Sequence, residues 1–119
     1  PEKYPVDHVL LEASGIAQPG NFVHTVIKHS PKAMVTKVIA LADAMRWLEL
    51  YQVLEPLLDN QIKSADLIVI NKIDGVEIRE LEKVTKAIST LNPKAPLVKL
   101  SAHNEKDIEQ LTEVITSYV

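Results

Sequence analysis

The stretch that decides the fold is LIVINKIDG, residues 67–75, in which an apolar run stops abruptly at Asn71, Lys72 and Asp74. The run consists only of Leu, Ile and Val, and it shows no alternation of apolar and polar positions. Such a run is typical of a strand that is covered on both faces. An amide, a cation and a carboxylate follow at once. The sequence therefore predicts a buried strand with a polar site at its carboxyl end.

Three further apolar runs have the length of a strand. They are HVLLEA (8–13), KVIALAD (37–43) and LVKLS (97–101). The first two lack alternation, as strands covered on both faces do, whereas Lys99 in the last run suits a strand nearer the sheet edge.

Helical periodicities lie between these runs. Pro31 and Pro93 follow the first and third apolar stripes, and Asn104 is placed to cap the last. Pro56 lies inside the second stripe and should break it into two helices. The alternation of strands and helices predicts an α/β fold, with a parallel sheet between helices and a single domain over residues 1–119. The stripes are Phe22, Val23, Val26 and Ile27; Leu48, Tyr51, Leu54, Leu58 and Ile62; Leu81, Val84, Ile88 and Leu91; and Ile108, Leu111, Ile115 and Tyr118.

The composition and charge of the chain argue against several classes of function. The 119 residues carry a net charge of −3 without any concentration of Lys and Arg, so we expect neither nucleic-acid nor membrane-surface binding. No apolar run approaches the roughly 18 residues of a membrane helix, and the beginning PEKYPVDH is no signal peptide, which favours a soluble, cytoplasmic protein. Cysteine is absent, which excludes a disulfide or thiolate site. The four histidines lack ligand spacing, so no metal site is assigned to His8, His24, His29 and His103.

Polar or small residues end each of the four predicted strands. In open α/β sheets the ligand binds beyond the carboxyl ends of the strands. We therefore expect Glu12, Asp43, the group at 71–74 and the pair Ser101–Ala102 to gather at one edge.

The residues at 71–74 and 101–102 suit a guanine base. The Asp74 carboxylate can accept from the adjacent N1–H and N2 amino donors of guanine, and Asn71 can donate to N7 while its carbonyl ties the loops together. The stem of Lys72 can lie along the base face. The N–H of Ala102 can point at O6, whereas adenine would present an amino group there and leave that donor unpaired.

Simpler interpretations of the same residues stay open at this point. NKIDG could be a strand-ending turn, because Asn, Asp and Gly favour turns. Glu12 could cap the next turn, and Gly15 and Pro19 could serve that turn and the first position of the next helix. Asp43 could be a turn or cap residue, or it could contact the nucleotide or a switch segment.

NKID (71–74) and SA (101–102) resemble the guanine-specificity elements of P-loop GTPases. Residues 7–22, DHVLLEASGIAQPGNF, resemble the Walker B and switch segment of CobW-type GTPases, which are metal-trafficking proteins related to the nickel-insertion GTPases of urease and hydrogenase maturation. Glu12 and Gly15 match the Glu-x-x-Gly of that segment, followed by Ala17 and Pro19. The stretches QIKSADLIVINKID (61–74) and LNPKAPL (91–97) are also similar to this family.

The resemblance implies a partial P-loop NTPase (Rossmann-like) layer of about four parallel strands with flanking helices. It implies GTP or GDP with Mg²⁺ as cofactors, and a GTP-hydrolysing metallochaperone domain, related to cobalamin synthesis, that delivers a metal such as zinc or cobalt to a metalloprotein client. Glu12 would act near the magnesium and the attacking water, and Gly15 would approach the γ-phosphate and move as a switch. Asn71, Lys72, Asp74, Ser101 and Ala102 would form the base site.

One element of that family is missing from this chain. None of Gly15, Gly20 and Gly75 opens the motif Gly-x-x-x-x-Gly-Lys-Ser/Thr that grips phosphates and magnesium. We therefore expect residues 1–119 to be the C-terminal portion of a GTPase domain, inactive alone. The P-loop strand is expected between the Glu12 strand and the strand leading to Asn71, so its absence predicts an exposed apolar edge. The N-terminal half of the domain or another chain would cover that edge.

Two other hypotheses belong to different functional classes. The chain could be a non-catalytic protein-interaction module that has lost phosphate binding. It could also be a nucleotide-free α/β domain such as a receiver, but that interpretation leaves the combination of Asn-Lys-x-Asp with Ser-Ala unexplained.

Overall fold

The computed structural model describes residues 5–117 and confirms the α/β class, with parallel strands alternating with helices. Within that range the sheet has three strands rather than about four. No helix in the described range has the length and apolar character to cross a membrane. In chain order the elements are α1 (Pro19–His29), β1 (Ile39–Asp43), α2 (Trp47–Lys63), β2 (Leu67–Asn71), a 3-10 turn (Ile73–Gly75), α3 (Ile78–Leu91), β3 (Leu97–Lys99) and α4 (Glu105–Thr116).

The central strand of the sheet is β2. It pairs in parallel with β1 on one side, where Asp43 lies opposite Asn71, and with β3 on the other, where Ile70 lies opposite Lys99. Residues 67–70 are almost completely buried. This burial is what the apolar run predicts for a strand covered on both faces.

Successive side chains of β2 point to opposite faces of the sheet, and each face has its own core. Ile68 and Ile70 pack with buried residues of α2 and α3, including Ile62 and Ile88. Leu67 and Val69 pack on the other face with Leu100 and with half-buried residues of α4.

The strand predicted at residues 8–13 does not form. This segment has no regular secondary structure, and its apolar side chains are exposed, with Leu10 at 80%. A strand needs a neighbour for its N–H and C=O groups. Both sides of β2 are occupied by β1 and β3, and residues 8–13 do not pair with the open edge of β1. The prediction failed because strand formation requires a partner, and the apolar composition of the segment does not supply one.

The sheet has an open edge on β1. The P-loop strand was expected beside the strand that leads to Asn71. In the structure β1 occupies that place, and its own far side pairs with no strand of the described residues. The residues just before and just after β1, Val38 and Ala44, form backbone hydrogen bonds toward β2. By alternation along the strand, the backbone groups of Ile39 and Leu41 face away from β2. Leu41 is 71% exposed, so β1 is not covered on both faces and carries the exposed apolar edge.

The helix ends follow the sequence signals. The first helix ends at His29 before Pro31, and Asn92 caps the end of α3. The Asn92 Nδ2 also donates to the carbonyls of Ile62 and Ala65, at 2.8 and 3.0 Å, which ties α3 to the end of α2. Asn104 caps α4 as predicted, because its side chain accepts from the N–H groups of Lys106 and Asp107. Tyr118 of the last stripe lies outside the described residues.

Pro56 kinks α2. Leu54 leaves the helical conformation, with φ −121° and ψ 32°, because a proline lacks the N–H of the helical ladder and crowds the preceding turn. The Tyr51 hydroxyl donates to Asp59 Oδ1 at 2.6 Å across this kink, and the bond raises the pKa of Tyr51 to about 12.

Trp47 stacks on Tyr51 and is buried between α2 and α3, so packing accounts for this aromatic pair.

The two isoleucines of α3 provide a matched test of the core. Ile88 is 0% exposed and Ile78 is 76% exposed. We expect Ile88→Ala to lower the free energy of unfolding by about 2 to 5 kcal/mol, because it opens a cavity against β2. Ile78→Ala should change it by no more than about 0.5 kcal/mol. Urea denaturation followed by circular dichroism measures both, and equal effects would contradict the packing of α3 described here.

Candidate nucleotide-binding site

The loops that follow β2 and β3 meet at the carboxyl edge of the sheet. Leu100 donates its N–H to the carbonyl of Ile70 at 2.9 Å, and Ile73 returns a longer bond to the carbonyl of Leu100 at 3.4 Å. These bonds bring five of the predicted site residues to one edge: Asn71, Lys72, Asp74, Ser101 and Ala102.

Asn71 joins the two loops. Its Oδ1 accepts the N–H of Ala102 at 2.9 Å. Because that N–H is a donor, the oxygen of the amide must face it and the nitrogen points elsewhere. The Nδ2 makes no hydrogen bond with any residue in the range 5–117, so it is available to donate to a ligand. The Ala102 N–H was assigned to guanine O6, and it can serve O6 here only by sharing its hydrogen with Asn71.

Lys72 adopts a left-handed backbone, with φ 61° and ψ 34°, and no other non-glycine residue in the described part of the chain has a positive φ. A side chain in this region costs of order 1 to 3 kcal/mol and persists only when the surroundings hold it. Two contacts do so. The Lys72 carbonyl accepts the N–H of Gly75 at 3.0 Å, and the Lys72 Nζ forms an ion pair with Asp43 Oδ2 at 2.9 Å.

Asp43 uses its two carboxylate oxygens for different partners. Oδ1 accepts the N–H of Met45 at 2.9 Å and so closes the turn after β1, while Oδ2 binds Lys72. Partial burial alone would raise the pKa of Asp43, but the hydrogen bonds from Lys72 and Met45 outweigh burial and hold this pKa below its ordinary value. The positive charges of Lys72 and Arg46 act in the same direction.

The sequence did not predict the ion pair between Asp43 and Lys72. It left two interpretations of Asp43 open, as a turn or cap residue or as a contact with the nucleotide or a switch segment. The signal for the ion pair is the sheet register. Asp43 and Asn71 are paired at the ends of adjacent parallel strands, so Lys72, the next residue, leaves the sheet beside Asp43.

Asp74 lies in the 3-10 turn, exposed to solvent. Its carboxylate forms no hydrogen bond or ion pair with the residues that the structure describes, so both oxygens can accept from a ligand.

Ser101 has a supporting place. It is buried, its N–H donates to Asp107 Oδ2 at 2.8 Å, and its Oγ accepts the N–H of His103 at 3.3 Å. These bonds fasten the loop to the first turn of α4. They hold Ala102, which is exposed, beside Asn71.

Gly15 is not brought to this edge, and the Glu12 carboxylate makes no hydrogen bond or ion pair with the described residues there. Gly15 lies in a turn in which the Ala17 N–H donates to the carbonyl of Ser14 at 2.9 Å. The Gln61 side chain donates to the Gly15 and Ala17 carbonyls at 2.9 and 3.2 Å. Gln61 belongs to the last turn of α2, which leads into the start of β2, so this anchor lies at the opposite, amino edge of the sheet. No feature of the sequence around Gln61 indicated this contact.

The donors and acceptors at the carboxyl edge suit a flat, polar base. Glu12 is exposed, and no group of three or more His, Asp or Glu residues within residues 5–117 could hold a metal ion by itself. Magnesium at a nucleotide is usually held by one or two carboxylates together with the phosphates and several waters, so protein residues alone would not complete its octahedral shell.

A family model described as CobW/HypB/UreG, nucleotide-binding domain, matches residues 2–99. The chain belongs to this family. No curated protein and no solved structure gave a match. The match confirms the resemblance seen in the motifs and shows a nucleotide-binding domain of the CobW/HypB/UreG kind. It covers Glu12, Gly15, Asn71, Lys72 and Asp74 and ends before the Ser101–Ala102 loop.

The Asp43–Lys72 ion pair predicts a change in titration. In Lys72→Met we expect the pKa of Asp43 to rise, because the hydrogen bond and the charge that lower it are lost while partial burial remains. Carbon-detected NMR titration of the Asp43 carboxyl group measures this. Lys83→Met breaks a similar pair with Glu80 on α3 and is the control. An unchanged Asp43 midpoint in Lys72→Met would contradict the pairing.

The bond between Asn71 and Ala102 predicts a change in amide exchange. Asn71→Ala removes the acceptor, so the Ala102 N–H should exchange with solvent faster, by about fivefold for a bond of ordinary strength. Asn71→Asp keeps an oxygen in the same place and should preserve the protection. Equal exchange rates in the wild type and Asn71→Ala, measured by NMR, would show that the two loops are not joined in this way.

Proposed function

We propose that this CobW/HypB/UreG domain provides the guanine-specificity site of a GTP-binding metallochaperone. The observation that carries the proposal is the arrangement after β2. There the amide nitrogen of Asn71, with no partner among the described residues, lies on the same loop as the similarly unpartnered carboxylate of Asp74. A donor and a double acceptor at one rigid edge match the acceptor N7 and the adjacent N1–H and N2 donors of guanine.

The base would be selected through its polar groups. Asp74 would accept both guanine donors, Asn71 would donate to N7, and the stem of Lys72 would lie along the ring. Ser101 would support Ala102, whose N–H would share its hydrogen between Asn71 and O6. Adenine offers Asp74 no pair of donors, so its binding would leave the carboxylate unsatisfied.

The larger activity that we propose is nucleotide-controlled delivery of a metal, such as zinc or cobalt, to a metalloprotein client. Hydrolysis would need a P-loop, supplied by an N-terminal half of the GTPase domain or by another chain that covers the open edge of β1. Glu12 and Gly15 would then serve the magnesium, the attacking water and the γ-phosphate. That role requires the segment to leave Gln61, because the contact with Gln61 holds it at the amino edge.

The test is a titration of the chain with GDP, ATP and xanthosine diphosphate, followed by NMR at Asn71 and Ala102. We expect GDP to bind and ATP not to bind. In Asp74→Asn the preference should move from GDP to xanthosine diphosphate, because the new amide can donate to the 2-oxo group of xanthine. Asp7→Asn makes the same chemical change on an exposed residue of the N-terminal segment and should leave the preference unchanged.

The possible outcomes separate the hypotheses. A switch of preference in Asp74→Asn alone would establish the base site. Binding that appears only when a P-loop segment is added would make the chain one half of a GTPase. The absence of a guanine preference under both conditions would overturn the proposal and favour the non-catalytic interaction module.

A further inference from the structure

We propose that Asp43 is a positioning residue for the base site and acts through Lys72. This inference rests on the proposed function, because it assigns a task to a residue outside the Asn-Lys-x-Asp motif. Its basis is the ion pair of 2.9 Å between Asp43 Oδ2 and Lys72 Nζ, which joins the ends of β1 and β2.

The ion pair holds the far end of a side chain whose near end is already fixed. The Lys72 backbone is locked in a left-handed conformation, and its carbonyl closes the turn with Gly75. With the ammonium group held at Asp43, the methylene stem between the two ends loses most of its rotamers before any ligand arrives. A stem fixed in advance costs less to order when a flat ring lies against it, which is how preorganisation strengthens binding.

The backbone and hydrogen bonds around Asp43 also hold its side chain in the position that pairs with Lys72. Asp43 is the last residue of β1 and is paired with Asn71 in the register of the sheet, so its backbone is fixed by the core strand β2. Its Oδ1 is occupied by the Met45 N–H, which sets the carboxylate plane and leaves Oδ2 toward Lys72. Asp43 therefore holds the lysine from a rigid support.

The two oxygens allow the positioning task to be separated from the turn. Asp43→Asn retains an oxygen that can accept from Met45 and loses the negative charge that binds Lys72. Lys72→Met retains an apolar stem and loses the ammonium group. The pair is partly exposed, with 53% of the Lys72 side chain and 26% of the Asp43 side chain accessible, so a modest effect is expected.

The experiment is a double-mutant cycle in which the dissociation constant for GDP is measured by NMR titration. The proteins are the wild type, Asp43→Asn, Lys72→Met and the double variant. We expect Asp43→Asn to weaken GDP binding about two- to fivefold, the range for a partly exposed pair. The same substitution in the Lys72→Met background should have no further effect, because the ammonium group through which Asp43 acts is gone.

Two further measurements exclude a general structural effect. The preference for GDP over xanthosine diphosphate should be unchanged in Asp43→Asn, since that preference belongs to Asp74. Asp59→Asn breaks a carboxylate–lysine pair on α2, with Lys63, and should leave GDP affinity unchanged.

Failure of this inference can be told apart from failure of the proposed function. If the wild type shows no guanine preference, either alone or with the P-loop segment added, the proposed function fails and the role of Asp43 fails with it. If the wild type prefers guanine but Asp43→Asn binds GDP equally well, only the role of Asp43 is overturned. It is also overturned if Asp43→Asn weakens binding equally with and without the lysine, because the effect of Asp43 then does not pass through the ammonium group.

Discussion

The pairing of β2 on both sides is the constraint on which the rest of the structure depends. Its residues 67–70 are buried on both faces, and its backbone bonds join it to β1 and to β3. A strand held in this way cannot shift its register without exposing its apolar side chains. The polar residues that follow it therefore leave the sheet at a fixed point, and Asn71 can join a loop that comes from β3.

Features encoded within a single segment could be predicted from the sequence. The kink before Pro56, the cap at Asn104 and the buried run of β2 each depend on residues close together in the chain. The strand at 8–13 could not be predicted in this way. Its apolar composition is like that of β1, but only β1 has β2 as a neighbour. Pairing between distant segments depends on both segments and cannot be predicted from the composition of one.

The site shows the same division. The residue types after β2 and β3 indicated which groups gather at the carboxyl edge. The left-handed backbone of Lys72 could not be predicted from the sequence, because a lysine rarely adopts it and the surrounding hydrogen bonds impose it. Its ion pair with Asp43 follows from that backbone and from the register of β1 and β2. The hydrogen bond from Gln61 to Gly15 joins residues 46 positions apart, and no sequence pattern predicts it.

Base recognition and phosphate binding have different physical supports in this fold. The loops that would bind the base follow β2 and β3 directly, and β2 is the buried central strand. These loops therefore keep their geometry without additional strands or helices. Under the proposed function, phosphate binding would need a further strand, and the open edge of β1, where the backbone groups of Ile39 and Leu41 face away from β2, has the free groups to pair with one. A parallel strand added there would end beside Asp43, because Asp43 is the last residue of β1. The Asp43–Lys72 pair stands at that end of β1, so the residue that would position the base also borders the place where such a strand would end.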